Sequence, residues 1–199
     1  MQITRILSLG VITIALSSSM ASAHVGLGDA HDALHGFVHP LTGIDHILAM
    51  VTIGLLAAHL GGRAIWAVPL SFVSMMLAGG IIGMSGIEIP YSEVGIGMSI
   101  VALGAALALS VRLPVALAMA MAGFFAIFHG FAHGAEMPED ASGLSFAIGF
   151  VVATSLLHVA GIASGMSIAR IAREFNDKAL RLCGGAIALA GVAILYGVI

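Results

Sequence analysis

From residue 41 onward the sequence is a succession of long apolar runs separated by breaks of a few residues. The runs cover 41–60, 64–85, 89–110, 113–134, 143–169 and 179–198. A helix needs roughly 20 apolar residues to cross a bilayer core, and each run reaches that length. Backbone N–H and C=O groups find no partner in lipid, so a crossing segment is either a helix or a strand of a closed barrel. Runs this long and continuous suit helices. The remaining composition agrees: 60% of the 199 residues are hydrophobic and 9% are charged, against roughly 25% charged in an ordinary soluble domain. Seven basic and ten acidic side chains cannot cover the surface of a soluble enzyme. With a formal net charge of −3, the chain also lacks the basic patch of a nucleic-acid binder. The expected fold is all-α: an integral membrane bundle of six transmembrane helices in a lipid bilayer.

The first 23 residues read as a cleaved signal peptide. Arg5 supplies the positive start, 6–16 is an apolar stretch too short to span, and Ala21-Ser22-Ala23 is an A-x-A cleavage pattern. The mature domain would then be 24–199, beginning at His24 outside the cytoplasmic membrane. Alternating the breaks from there places Arg63, Arg112, Arg170, Arg173, Lys178 and Arg181 on the inner side. Asp29, Asp32, Glu88, Glu93, Glu136, Glu139 and Asp140 fall outside or at the outer boundary. That is the positive-inside distribution.

Gly79–Gly83, Gly130–Gly134 and Gly161–Gly165 are G-x-x-x-G pairs, which suit close helix packing in lipid. No Walker-type phosphate loop occurs. The single cysteine, Cys183, permits no internal disulfide and is expected to be a buried apolar residue.

Nine histidines in so apolar a chain are the anomaly that points to chemistry. His39, Asp45 and His46 fall at the outer end of the first run, Asp45 about 7–8 Å inside the helix start at helical rise. His39 and His46 would share a face if His39 is helical. His129, His133 and Glu136 fall at the outer end of the fourth run. Their i, i+4, i+7 spacing covers an arc of about 60° on a helix. Charged groups in lipid are costly, so both clusters must face protein, water or a cation. One shared site would satisfy both, which predicts that the first and fourth helices pack together. Imidazole with carboxylate suits divalent nickel, cobalt, zinc or copper. His158, deeper in the fifth run, is either a relay ligand or a packing residue. His24, His31 and His35 form a possible metal-gathering segment ahead of the first run, or a solvated helix with incidental histidines.

The two clusters resemble a known family. H-x5-D-H, His39 to His46, and F-H-G-x-A-H-G-x-E, Phe128 to Glu136, are similar to the signature motifs of HupE/UreJ nickel/cobalt permeases. The resemblance extends over essentially the whole chain, including a cleaved signal followed by six spans. It implies a six-helix permease domain over 24–199 and secondary uptake of nickel or cobalt across a bacterial inner membrane. It also implies His39, Asp45, His46, His129, His133 and Glu136 as metal-handling residues. The metal would be cargo, with no prosthetic group and no enzymatic reaction. The residues by themselves leave a second reading open, an intramembrane zinc hydrolase using the same His/Asp cluster.

Overall fold

The computed structural model describes residues 32–137, 143–171 and 176–198. The expected signal peptide, His24 and His31 lie outside these residues. Among the described residues the chain forms seven α-helices, one 3-10 turn and no strand. They are α1 (Asp32–Val38), the turn His39–Leu41, α2 (Ile44–Leu60), α3 (Ala64–Met84) and α4 (Ser92–Ala108), then α5 (Val115–Ala135), α6 (Gly143–Ile171) and α7 (Asn176–Leu195). Four of them, α3, α5, α6 and α7, are long and apolar enough to cross a membrane. A fifth candidate is the pair 33–41 and 44–60, bent by 83° between its halves.

The first run therefore does not form one straight helix from residue 41, and His39 is not on the helix that carries His46. Local chemistry interrupts the helix at this point. Pro40 lies in the first turn of the 3-10 segment and has no N–H to donate. The Thr42 hydroxyl then donates to the His39 carbonyl at 2.7 Å and closes the turn. Gly43 is extended at φ −90°, ψ 120° and starts α2. A Cβ at Gly43 would lie 2.6 Å from Asp45 Oδ1 and 3.1 Å from His46 Nδ1, so a larger residue would displace the Asp45–His46 pair. The third run is also trimmed, to the 17 residues of α4. Tyr91 and Ser110, with φ of 63° and 50°, are left-handed just outside its two ends and stop the helix there.

The helices associate through glycine. On α3 and α5, a Cβ at Gly79 would strike the Ile127 carbonyl, one at Gly83 the Phe131 carbonyl, and one at Gly130 the Met76 carbonyl. Contact moves up both helices together, so α3 and α5 run parallel. Gly54 meets the His158 carbonyl and Gly165 meets Ala58, so α2 and α6 are parallel too. Gly97 meets Leu195 while Gly184 meets Ala108 N, so α4 and α7 are antiparallel. All three G-x-x-x-G pairs lie in these seams. The outward faces carry large apolar side chains, among them Trp66, Ile81, Phe124 and Ile148. Cys183, expected to be buried, is exposed. Its neighbour Gly184 occupies the seam with α4, and one residue along a helix turns the next side chain by about 100°.

Candidate metal centre

Asp45 is the second residue of α2, so it sits in the first turn and not the 7–8 Å inside that a helix starting near residue 40 would give. A carboxylate is favoured there by the partial positive charge of the helix N-terminus. Its Oδ1 accepts two hydrogen bonds from His46, from the backbone N–H at 2.8 Å and from ring Nδ1 at 2.9 Å. An ionised carboxylate only accepts, so the ring proton is on Nδ1. In the neutral ring Nε2 then carries the lone pair, and this nitrogen is buried without a partner. A carboxylate–histidine pair of this kind fixes the tautomer and ring orientation of a metal ligand.

The second motif closes α5. His129 and His133 are buried, and Glu136 is the residue that caps the helix. The rings of the two motifs meet. The His46 centroid is 4.1 Å from that of His133 and 4.9 Å from that of His129. The bend before α2 also folds His39 back onto this end. Its ring centroid is 4.6 Å from that of His133, and its Nε2 is 3.4 Å from Glu136 Oε2. His39, His133 and Glu136 each offer one ligand atom within 4.8 Å of the other two. The hydrogen bond from His39 holds the Glu136 carboxyl below its ordinary range, with burial opposing. A cavity of about 200 Å³ opens between the motifs, lined by His39, Asp45, His46, His133 and Glu136.

The three α5 residues do not act as the single stripe their spacing suggested. His133 and Glu136 join His39, whereas His129 turns toward α4. There Ser99 Oγ lies 2.9 Å from His129 Nε2. His129 Nδ1 and both nitrogens of His133 have no hydrogen-bond partner. Glu93, on α4, also lines the cavity; sequence reasoning placed it only among the outer acids. An ionisable residue in the first turn of an apolar run was the available signal. Ser99 offered none, because a serine in an apolar helix is commonplace.

Of the remaining histidines, His35 touches the group and His158 and His59 lie away from it. His35, in the last turn of α1, has its ring 5.9 Å from that of His39. His158 on α6 is buried with both nitrogens unpartnered, its ring edge-on to Phe72 at 5.3 Å. Phe72 also touches His129, at 5.7 Å between centroids. Since His158 packs level with Gly54, it lies about 12 Å below His46, eight residues of helical rise. His59, in the last turn of α2, has a buried unpartnered Nε2 and marks the opposite end of that helix.

The chain matches the family described as HupE / UreJ protein over residues 12–194. It is 43% identical over 179 residues to "Protein HupE" of Rhizobium leguminosarum bv. viciae, an alignment covering 90% of this chain and 92% of that protein. No solved structure matches the chain. Membership rests on the whole length and not on the two motifs alone: the chain belongs to the HupE/UreJ family, a family of transporters and not of enzymes.

Proposed function

We propose that the protein takes up divalent nickel or cobalt across a bacterial inner membrane, binding the ion between the first and second motifs. The observation that carries this reading is the grouping of His39, His133 and Glu136, with ligand atoms within 4.8 Å of one another, beside the bare Nε2 of His46. Metal–nitrogen bonds are near 2 Å, so donors about 4 Å apart can share one ion and small movements complete the set. His133 touches both His39 and His46, so an ion held by the outer trio can pass inward without losing that ligand. Asp45 serves by holding His46, and His129 extends the path inward. His158 is the deeper relay. His24, His31 and His35 gather metal ahead of the site.

The helix seams support six crossings, and the reading keeps a cleaved 23-residue signal ahead of them. In an alternating topology the first and fifth spans are parallel, as are the second and fourth, while the third and sixth oppose each other. The three glycine seams run in those senses. The short α4 lies along α7 from Gly97 at Leu195 to Ala108 at Gly184, so it reaches the depth of a neighbour long enough to cross. The sites of Arg63, Arg112 and Arg181 then share the inner side, and the mature N-terminus and both motifs the outer. Membership in a transporter family sets aside the zinc-hydrolase reading.

Cells expressing the protein should accumulate nickel or cobalt saturably above a vector control when nickel, cobalt and zinc are compared side by side. Accumulation of none of them by cells with the protein in the inner membrane would end the proposal. Nickel binding by the purified protein should tighten as pH rises from about 5.5 to about 7.5, because protons and metal compete for imidazole nitrogen. Glu136 adds nothing to that rise. Its carboxyl is depressed below the ordinary range, so it is already ionised throughout the interval.

A further inference from the structure

We infer that Ser99 is a positioning residue of the transport site: its hydroxyl fixes His129 in the Nε2–H tautomer and leaves Nδ1 bare for the ion. The inference rests on the uptake reading above for its consequence, but its geometry stands apart from that reading.

The argument is one of counting protons. Ser99 Oγ lies 2.6 Å from the Ile96 carbonyl oxygen and 2.9 Å from His129 Nε2. A hydroxyl has one proton. Two oxygens 2.6 Å apart with no hydrogen between them repel, and a carbonyl can supply none, so the Ser99 proton lies on the line to Ile96. Ser99 and His129 are both fully buried, so water does not offer either an alternative partner. The His129 contact must then be an N–H donated from Nε2 to the Ser99 lone pair. Neutral imidazole carries one proton, so Nδ1 is left as a lone pair, buried and without a partner.

His46 is fixed in the opposite sense. Asp45 takes its Nδ1 proton and leaves Nε2 bare. Two neighbouring rings, 4.9 Å apart, are thereby each committed to present one unprotonated nitrogen. One is set by a carboxylate in its own motif and the other by a hydroxyl from a third helix that neither motif includes. A ring free to rotate its proton between nitrogens would offer the ion an N–H for part of the time. Locking the tautomer removes that cost. The bond also ties α4 to α5, so Ser99 couples the register of those helices to the site.

The test uses the full-length protein, uniformly 15N-labelled at histidine, with the His129 signal assigned by its loss in His129→Gln. In the metal-free wild type, His129 should show a protonated Nε2 and an unprotonated Nδ1. Ser99→Ala should shift that signal toward a mixture of tautomers and weaken half-saturation for nickel uptake roughly 10- to 100-fold, the range for removing a group that hydrogen-bonds a ligand. Ser99→Thr, which retains the hydroxyl, should restore both. A protonated Nδ1 in the wild type would overturn the inference. So would an unchanged tautomer in Ser99→Ala, or a changed tautomer with wild-type uptake. If Ser99→Ala fails to accumulate, the wild-type spectrum and Ser99→Thr still decide. Absence of nickel uptake by the wild type itself would fail the uptake reading, while the tautomer arm would remain decided by the spectrum.

Discussion

His133→Ala should reduce nickel uptake to background, a loss of more than about 100-fold. Even removal of a group that only hydrogen-bonds a ligand costs roughly 10- to 100-fold in affinity, and His133 is proposed as a ligand in both halves of the site. Its ring is the one that touches His39 on one side and His46 on the other. Neither of its nitrogens has a hydrogen-bond partner, so truncation orphans no polar group. It does remove the ring contact with Phe150, whose centroid is 4.2 Å away. His133→Phe separates the two effects, because it keeps an aromatic ring against Phe150 and removes both nitrogens. It should fail as completely as alanine at matched membrane levels. Cys183→Ala, at an exposed position, should stay within about twofold of wild type, as substitutions away from such a site do. Uptake of metal by His133→Phe at half the wild-type rate would remove His133 from the pathway.

The helices were legible in the sequence because lipid imposes a single rule, backbone satisfaction within long apolar runs. That rule places the middle of each helix well and its ends badly. The start of α2 shows why. Pro40 and Gly43 were visible, but the 83° bend between the halves depends on α1 seating against α6. There a Cβ at Gly36 would strike the Phe146 carbonyl. Such a tertiary contact leaves no periodic trace in the chain. The site followed the same division. His46, His133 and Glu136 stood out because ionisable groups are rare in apolar runs, and helical spacing relates His133 to Glu136. The partition of the α5 residues between two neighbourhoods did not stand out. It is set by Ser99 and by His39 folding back, both brought in from other elements. The glycine pairs sit between these cases: their spacing marked a packing stripe, and only the structure says which helix fills it.

Gly130→Ala should give a large structural effect, because this glycine lies between His129 and His133 and in the close α3–α5 seam. Its Cβ would fall on the Met76 carbonyl oxygen, with the Met76 carbonyl carbon at 2.7 Å and the Gly80 nitrogen at 2.9 Å. All three are backbone atoms of α3, so no rotamer change relieves the clash and the two helices must separate. Overpacking of this kind costs about 1–3 kcal/mol, occasionally more. For a chain of this length each kcal/mol lowers Tm by roughly 2–4 °C, so the purified variant should melt about 2–12 °C lower or fail to accumulate. Gly185→Ala is the matched control, since a Cβ there meets nothing within 4 Å, and its Tm should be unchanged. The two variants make the same chemical change in helices of the same membrane, which leaves the seam as the difference between them. Separation of α3 from α5 also moves His133 relative to His39 and His46, so any Gly130→Ala protein that does reach the membrane should lose uptake along with stability. A Gly130→Ala protein with wild-type Tm would mean that α3 and α5 do not meet in this register.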